Sequence, residues 1–210
     1  SERLDAYAAM LDSLDAVLIF AARYREIALC KATGENAEQF KKIADALENV
    51  PANPATSLFE ALQCFMLMWQ VMCLEQTPNP FAFSVGNADR IFEPYRNGLD
   101  RDTVAGLFKH FLVFFNVADR SWAISQNIII SGRDKDGNDL TNPTTYAMLD
   151  AYYDMNLPQP ILSVKLHKNT PQKLYEEMGR FFFSPGVLTP SMFNDDSLFE
   201  VLGSHGVDTD

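Results

Sequence analysis

Residues 58–75, LFEALQCFMLMWQVMCLE, place the tightest demand on this chain. At helical spacing they are apolar nearly all round, and a helix without a polar face has to be buried on every side. A chain of 210 residues rarely builds a core deep enough to hide such a helix completely. The sequence therefore predicts that more protein surrounds this helix. Its greasiest part, residues 64–74, is interrupted by Gln70 and is too short to span a bilayer.

The segments around it read as a helix-rich α/β chain. Residues 3–31 carry Leu4, Tyr7, Ala8, Leu11, Leu14, Leu18, Ala22, Tyr24 and Ile27 at helical spacing. A second helix over 36–49 puts Phe40, Ile43, Ala44 and Leu47 on one face, and the prolines of VPANPATS stop it. Ser57 then caps the apolar helix, with Glu60 completing a capping box. Further helices are predicted near 88–96, 102–116, 143–154, 171–183 (entered through Pro171 at its first position) and 195–203, the last stopped by Gly203. AISQNIIIS (123–131) and ILSVKL (161–166) read as buried strands, and SPGVLTPSMFN as irregular. With neither a repeat nor a low-complexity linker, the chain reads as one domain over 1–210.

Composition removes several classes of function. The 47% hydrophobic and 12% aromatic content supports a real core. A formal charge of −11 opposes binding to nucleic acid, whose phosphates demand Lys and Arg, and opposes an anionic membrane surface. The N-terminal residues lack the basic and apolar regions of a signal peptide. Cys30, Cys64 and Cys73 are odd in number, irregularly spaced and set in apolar helical patterns, so they read as reduced, buried thiols of a cytoplasmic protein.

The loop GRDKDGNDLTN (132–142) is the one stretch with the look of a site, and it fails the spacing tests. Counting from Asp134, the sixth position of a calcium loop would be Asp139 rather than Gly, and the twelfth Thr145 rather than Glu. His110, His167 and His205 lie far apart with no cysteine spacing to match, which leaves zinc without ligands. The loop has no phosphate-binding glycine pattern, and its aspartates would repel an anion. No GxSxG is present, and Asp195 with Asp196 reads as a carboxylate pair favoured by a helix N-terminus. What remains is a strand–turn–helix joint: Asp136-Gly137-Asn138 tolerate positive φ, Asn142 caps the next helix and Pro143 opens it.

The order of the pieces carries more than any one of them. VPANPATSLFEALQ, NPFAFSVGNADRIFEPY, QNIIISGRDKDGNDLTNPTTYAMLDA, LPQPILSVKLHKNTP and SPGVLTPSMFNDDSLFEVLGSHGV follow one another. The series resembles the glycyl radical enzymes, the pyruvate formate-lyase-like family. That family shows a VP..P..TF.EALQ helix, an NG.S.S.GR.DQ...PY segment, a GG.D.DG.D.TN turn, a QP.L..R.H strand and a PA.FND segment. The resemblance covers about residue 15 to the end. It implies part of an α/β barrel of two half-barrels wrapped in helices, with this chain supplying helices and a few barrel strands.

The resemblance also implies a radical chemistry. A separate activating enzyme, using S-adenosylmethionine and an iron–sulfur cluster, makes a glycine radical on a C-terminal loop. That radical passes to a cysteine on a barrel-centre loop, and the thiyl takes a hydrogen from a small-molecule substrate. The cysteine, commonly within GC.E, follows the PA.FND segment and a GV..EDA.DY stretch, whereas these residues run only to GVDTD (206–210). None of Cys30, Cys64 and Cys73 occupies its position. The chain is thus expected to bind no cofactor, to carry no catalytic or metal-binding residue, and not to turn over alone. An activating enzyme and further copies of the chain are its expected partners.

Departures from the family pattern point to a divergent member. Diol dehydratases place His-Ser after Asn-Gly, where this chain has Phe81 and Ala82. An apolar pair cannot hydrogen-bond a polyol, which argues against glycerol- or propanediol-type dehydration. Asn87 stands where Arg is usual, Ser131-Gly132 replaces the paired glycines, and Lys165 replaces an Arg of different hydrogen-bonding geometry. Phe81, Ala82, Trp122 and Ser125 are the candidate substrate-pocket residues, the first two from the aligned pair and the others from their position entering the strand.

The rival reading is a non-catalytic, acidic, helix-rich scaffold or binding protein derived from the same family. Light scattering with dye binding separates the two. A piece of a larger barrel exposes apolar surface, so the purified chain should bind the dye ANS or self-associate. A dye-silent, monodisperse monomer would favour the scaffold.

Overall fold

The computed structural model describes residues 2–76, 83–121 and 126–207. They fold as a helix-rich α/β protein with one four-stranded parallel sheet. The chain forms two compact units, Ser1–Glu75 and Gln76–Asp210.

The first unit is three helices: α1 (Glu2–Lys31), α2 (Ala37–Asn49) and α3 (Leu58–Glu75). Ala21 of α1, Leu47 of α2 and Leu67 of α3 meet in a small core, with Phe20 and Ile43 packed against it. Arg25 pairs with Glu48 at 2.8 Å across α1 and α2. The Lys42 ammonium sits 4.4 Å from the centre of the Phe59 ring, across α2 and α3. The start of α3 modifies the expected capping box. Ser57 Oγ accepts from the Glu60 N–H, as predicted, but the Glu60 carboxylate reaches one residue further back and accepts from the Thr56 N–H at 2.7 Å. Thr56 Oγ1 and Asn49 Nδ2 donate to the same oxygen, and these bonds hold the Glu60 carboxyl below its usual range.

The all-round apolar helix is not enclosed. Leu58, Ala61, Leu62, Leu67, Trp69 and Cys73 are buried, while Met72 and Leu74 lie exposed. By length and composition α3 could cross a membrane, having 18 residues at a mean hydropathy of 1.3; the greasy run is longer than the 11-residue stretch suggests, because Leu58–Gln63 extends it. A third of it is buried, and it packs through Leu67 on α1 and α2. The apolar face of α1 is likewise open: Leu4, Met10, Leu11 and Leu14 are each more than half exposed. Met10, Leu14, Phe20, Val71 and Leu74 line an apolar groove of about 950 Å³ between α1 and α3. The cysteines follow suit. Cys73 is buried, but Cys64 is only half-buried and Cys30 is exposed, because the outer faces of these helices have no cover.

The second unit holds the sheet. Its strands β1 (Gly86–Asn87), β2 (Asn127–Ser131), β3 (Ile161–Leu166) and β4 (Ser191–Asn194) lie in that order, all parallel. Parallel neighbours need crossovers, and helices supply them: α4 (Ala88–Phe92) and α5 (Arg101–Ser121) between β1 and β2, α6 (Pro143–Met155) to β3, and α7 (Gln172–Phe183) to β4. Helix α8 (Asp195–Ser204) follows β4 directly. Ile128 and Ile130 pair in register with Leu162 and Val164, and all four are at most 2% exposed. Beneath α4, Phe92 meets Phe108 and Phe111 of α5 edge-on at 5.7 and 5.8 Å between ring centres.

Several boundaries differ from the sequence reading for local reasons. Pro171 caps α7 from outside rather than opening it, since its ψ of 137° is extended. The helix near 88–96 is a short α-helix followed by a 3-10 turn over Glu93–Tyr95, with Pro94 inside the turn. Helix α8 runs through Gly203 to Ser204. Strand β4 lies inside the stretch expected to be irregular, and its four residues are all exposed. Such a strand has no alternation to read; it exists by pairing with β3.

Arg101 ties three helices together. It donates two hydrogen bonds to Asp150 of α6 and two to Glu177 of α7, the latter at 2.9 and 3.0 Å. Arg180 adds a bond to Asp150 at 2.7 Å. Burial pushes the Asp150 carboxyl up, but the bonds from Arg101 and Arg180 outweigh it and hold the group below its ordinary 3.8. The Arg101 bonds, less opposed by burial, hold Glu177 below 4.5. Groups with depressed folded-state values contribute stability that is fully present above their unfolded values. That contribution is lost as pH falls through the folded ones. Urea denaturation should show stability declining below about pH 4, and Arg101→Met should flatten that decline as well as lowering stability at neutral pH.

Candidate functional site

The carboxyl ends of parallel strands are where α/β sheets place their sites, because the loops leaving them converge there. In this protein that end is built from two buried aspartates. Asp89, wholly buried in α4, accepts from the Ser131 N–H at 2.7 Å, from Thr145 Oγ1 at 2.6 Å and from the Arg90 N–H at 2.9 Å. It thereby joins β1's exit, the end of β2 and the first turn of α6. Burial pushes its carboxyl above the ordinary range, against the pull of Thr145, Ser131 and Arg90.

Asp195, also wholly buried, lies in the first turn of α8. One carboxylate oxygen pairs with Lys165 Nζ of β3 at 2.7 Å, and the other accepts from the Arg133 N–H at 2.9 Å. Lys165, its side chain largely but not wholly covered, thus stands as the counter-ion. Arg90 Nη2 donates to the Ser131 carbonyl at 2.9 Å, closing the cluster from the opposite side. Its sequence position at a helix N-terminus accounts for Asp195 by the helix dipole alone; the fold gives it a stronger partner in Lys165. The sequence signal that could have found it was Lys165, the one charged residue of the strand ILSVKL.

Gly132 makes this close approach feasible. Its φ is +99°, and Ser131 before it has φ +63°. A Cβ at position 132 would lie 2.7 Å from Asp195 Oδ2, 2.9 Å from Arg90 Nη2 and 3.1 Å from Lys165 Cβ. The rest of the loop is spent on its own turn. Asp134 accepts from the Asp136 N–H and Asn138 N–H, both at 2.9 Å, and from Asn138 Nδ2 at 2.8 Å. Those bonds, the Asn138 side chain foremost, hold its carboxyl low. Of Asp136, Gly137 and Asn138, only Gly137 uses positive φ. Asn142 caps α6 as expected: its side chain accepts from the Thr145 N–H, and Thr145 Oγ1 accepts from the Asn142 N–H, with Pro143 opening the helix. His167, buried behind the loop, donates from Nε2 to Asp139 at 3.0 Å while its Nδ1 accepts from the Asn169 N–H.

One face of the sheet is suited to a pocket wall. Asn87, Ile129, Ser163 and Ser191 fall on one row across all four strands, and Ser131, Lys165 and Phe193 on the next. Polar and apolar groups therefore mix on this face, whereas the opposite face is apolar at Ile128, Ile130, Leu162 and Val164. The candidate pocket residues Phe81, Ala82, Trp122 and Ser125 lie outside the described residues. Their near neighbour Ser84 is described, and its Oγ accepts from the Asn127 N–H of β2 at 3.3 Å.

The site region is thus a parallel α/β sheet with helical crossovers and a buried ionic cluster at its carboxyl end. The chain belongs to the pyruvate formate lyase-like family, whose sequence profile matches residues 1–210. It is 29% identical to trans-4-hydroxy-L-proline dehydratase of Clostridioides difficile over 97% of this chain and 29% of that protein. It is 26% identical to isethionate sulfite-lyase of Bilophila wadsworthia over 91% of this chain and 26% of that protein. In fold it is similar to a glycyl radical enzyme from Archaeoglobus fulgidus, with a TM-score of 0.82 at 24% identity, over 93% of this chain and 27% of the other. The chain therefore spans little more than a quarter of these relatives' length.

Two glycine substitutions separate steric from backbone demands. Gly132→Ala should cost about 2–5 kcal/mol, from backbone strain and overpacking together. Gly137→Ala, with φ +86° but its nearest neighbour at 3.9 Å, should cost about 1–2 kcal/mol. Chemical denaturation of both variants checks the difference.

Proposed function

We propose that this chain is a barrel segment of a glycyl radical lyase or dehydratase, supplying helices, parallel strands and one wall of a small-molecule pocket. The observation that carries the reading is the family match along all 210 residues, joined to a parallel sheet of the same fold as a glycyl radical enzyme. Phe81, Ala82, Trp122 and Ser125 line the pocket, and the apolar Phe81–Ala82 pair favours a substrate less hydroxylated than a polyol.

The radical chemistry resides elsewhere in the complete protein, and these residues alone do not turn over. In support, all three cysteines belong to the helical unit Ser1–Glu75 and none to the sheet-bearing unit. Burial pushes the Cys64 and Cys73 thiols up, away from easy ionisation. The whole enzyme is a cytoplasmic protein of anaerobic metabolism. A separate S-adenosylmethionine-dependent enzyme activates it, and it works as a homo-oligomer, binding neither nucleic acid nor membrane. This segment holds no cofactor of its own.

Electron paramagnetic resonance tests the assignment. Incubated anaerobically with an activating enzyme and S-adenosylmethionine, the 210-residue chain should give no glycyl doublet, and a doublet would overturn the reading. The coding region beyond Asp210 should encode a GC.E cysteine loop and an RV.GY-like glycine loop. Their absence would leave the non-catalytic scaffold as the better account.

A further inference from the structure

Helix α8 rests on the sheet with little apolar burial. Asp195 is its one fully buried residue, while Leu198 and Val201 are about half exposed. The strand that leads into it, β4, is exposed at all four positions. Phe199 and Leu202, one turn apart and half-buried, form its inner stripe.

What holds it is charge, and most of that charge converges on Arg133. The Arg133 guanidinium pairs through Nε with Asp196 at 2.7 Å and lies 4.1 Å from the centre of the Phe199 ring. The Arg133 N–H also donates to Asp195, and the Lys168 N–H donates to the other Asp196 oxygen at 2.8 Å. These contacts are of two kinds. The Asp195–Lys165 pair is sealed, with the two side chains 0% and 14% exposed. The Asp196–Arg133 pair is more open, at 33% and 13%, and the Phe199 stack is half-buried. Ionic strength weakens the second kind far more than the first.

We propose that α8 is a latched helix: Asp195 is its fixed hinge, and Arg133, gripping Asp196 and Phe199 together, is its catch. Released, the helix lifts from residue 196 onward while the sheet and the Asp195–Lys165 pair stay in place. Such local opening draws on the least apolar element of a fold. Arg133 serves the turn as well, donating from Nη1 to the Asp134 carbonyl at 3.2 Å, but Asp134, Gly137 and Asn138 close the turn among themselves, which leaves the rest of the guanidinium for α8. The latch depends on geometry within this chain and not on the enzymatic reading.

Hydrogen exchange of the 210-residue chain, followed by mass spectrometry, tests it. Amides of residues 198–206 should be protected at low salt. They should exchange at least about tenfold faster in Arg133→Gln, in Phe199→Ala, and in the unaltered chain at 1 M KCl, where the screening length is about 3 Å. Amides of β2 and α6 should keep their protection in every case. Three results would each overturn the proposal: an α8 already unprotected at low salt, unchanged α8 protection in both variants, or equal loss of protection in β2 and α6.

Discussion

Two buried carboxylates organise the end of this sheet on which the loops converge. Asp89 is the meeting point of α4, the last residue of β2 and the first turn of α6. Asp195 binds the end of β3 to the start of α8 and to the loop after β2. A charge withdrawn from water is tolerable only when its lone pairs are filled. Each aspartate fixes several backbone segments because each needs several donors. Strand β4 takes its place by pairing with β3, and helix α8, which buries almost nothing apolar, is anchored at its start through Asp195.

The same constraint explains the loop sequence. Gly132 is required where Asp195 and Arg90 approach the backbone closer than a Cβ would permit. Asp134 and Gly137 close the turn, Asp139 orients His167, and Asn142 starts α6. Arg133 reaches from this loop across to α8. A stretch rich in aspartate thus acts by binding backbone N–H groups and neighbouring side chains. The apolar faces of α1 and α3 tell the complementary story. The relatives are nearly four times longer than this chain, and the open faces of α1 and of the end of α3 are apolar surfaces that it does not itself cover.

Helices α1, α2, α3, α6 and α7 were legible nearly to the residue, since apolar spacing and the capping groups Ser57 and Asn142 are local signals. So was the buried β3, ILSVKL. Strand β4 was not, because SMFN has no buried face and is a strand only by virtue of its neighbour. The candidate site was half legible. Motif order pointed to Phe81, Ala82, Trp122 and Ser125 and to a strand–turn–helix joint at GRDKDGNDLTN, and no local feature of Asp89 or Asp195 marks them as buried hubs. Lys165 was visible as a departure from the family's arginine, without its partner.

By itself the sequence determined the helices, the turn at Gly137, the cap at Asn142 and membership in a family, because each rests on residue types at short or ordered spacing. Only the tertiary structure decided that Lys165 meets Asp195 thirty residues away, that Arg133 spans Asp196 and Phe199, and that the apolar residues of α3 are left exposed only towards its end, at Met72 and Leu74. Those outcomes depend on which elements are present to pack together, and a helix with no polar face is enclosed only if the chain brings enough protein to enclose it.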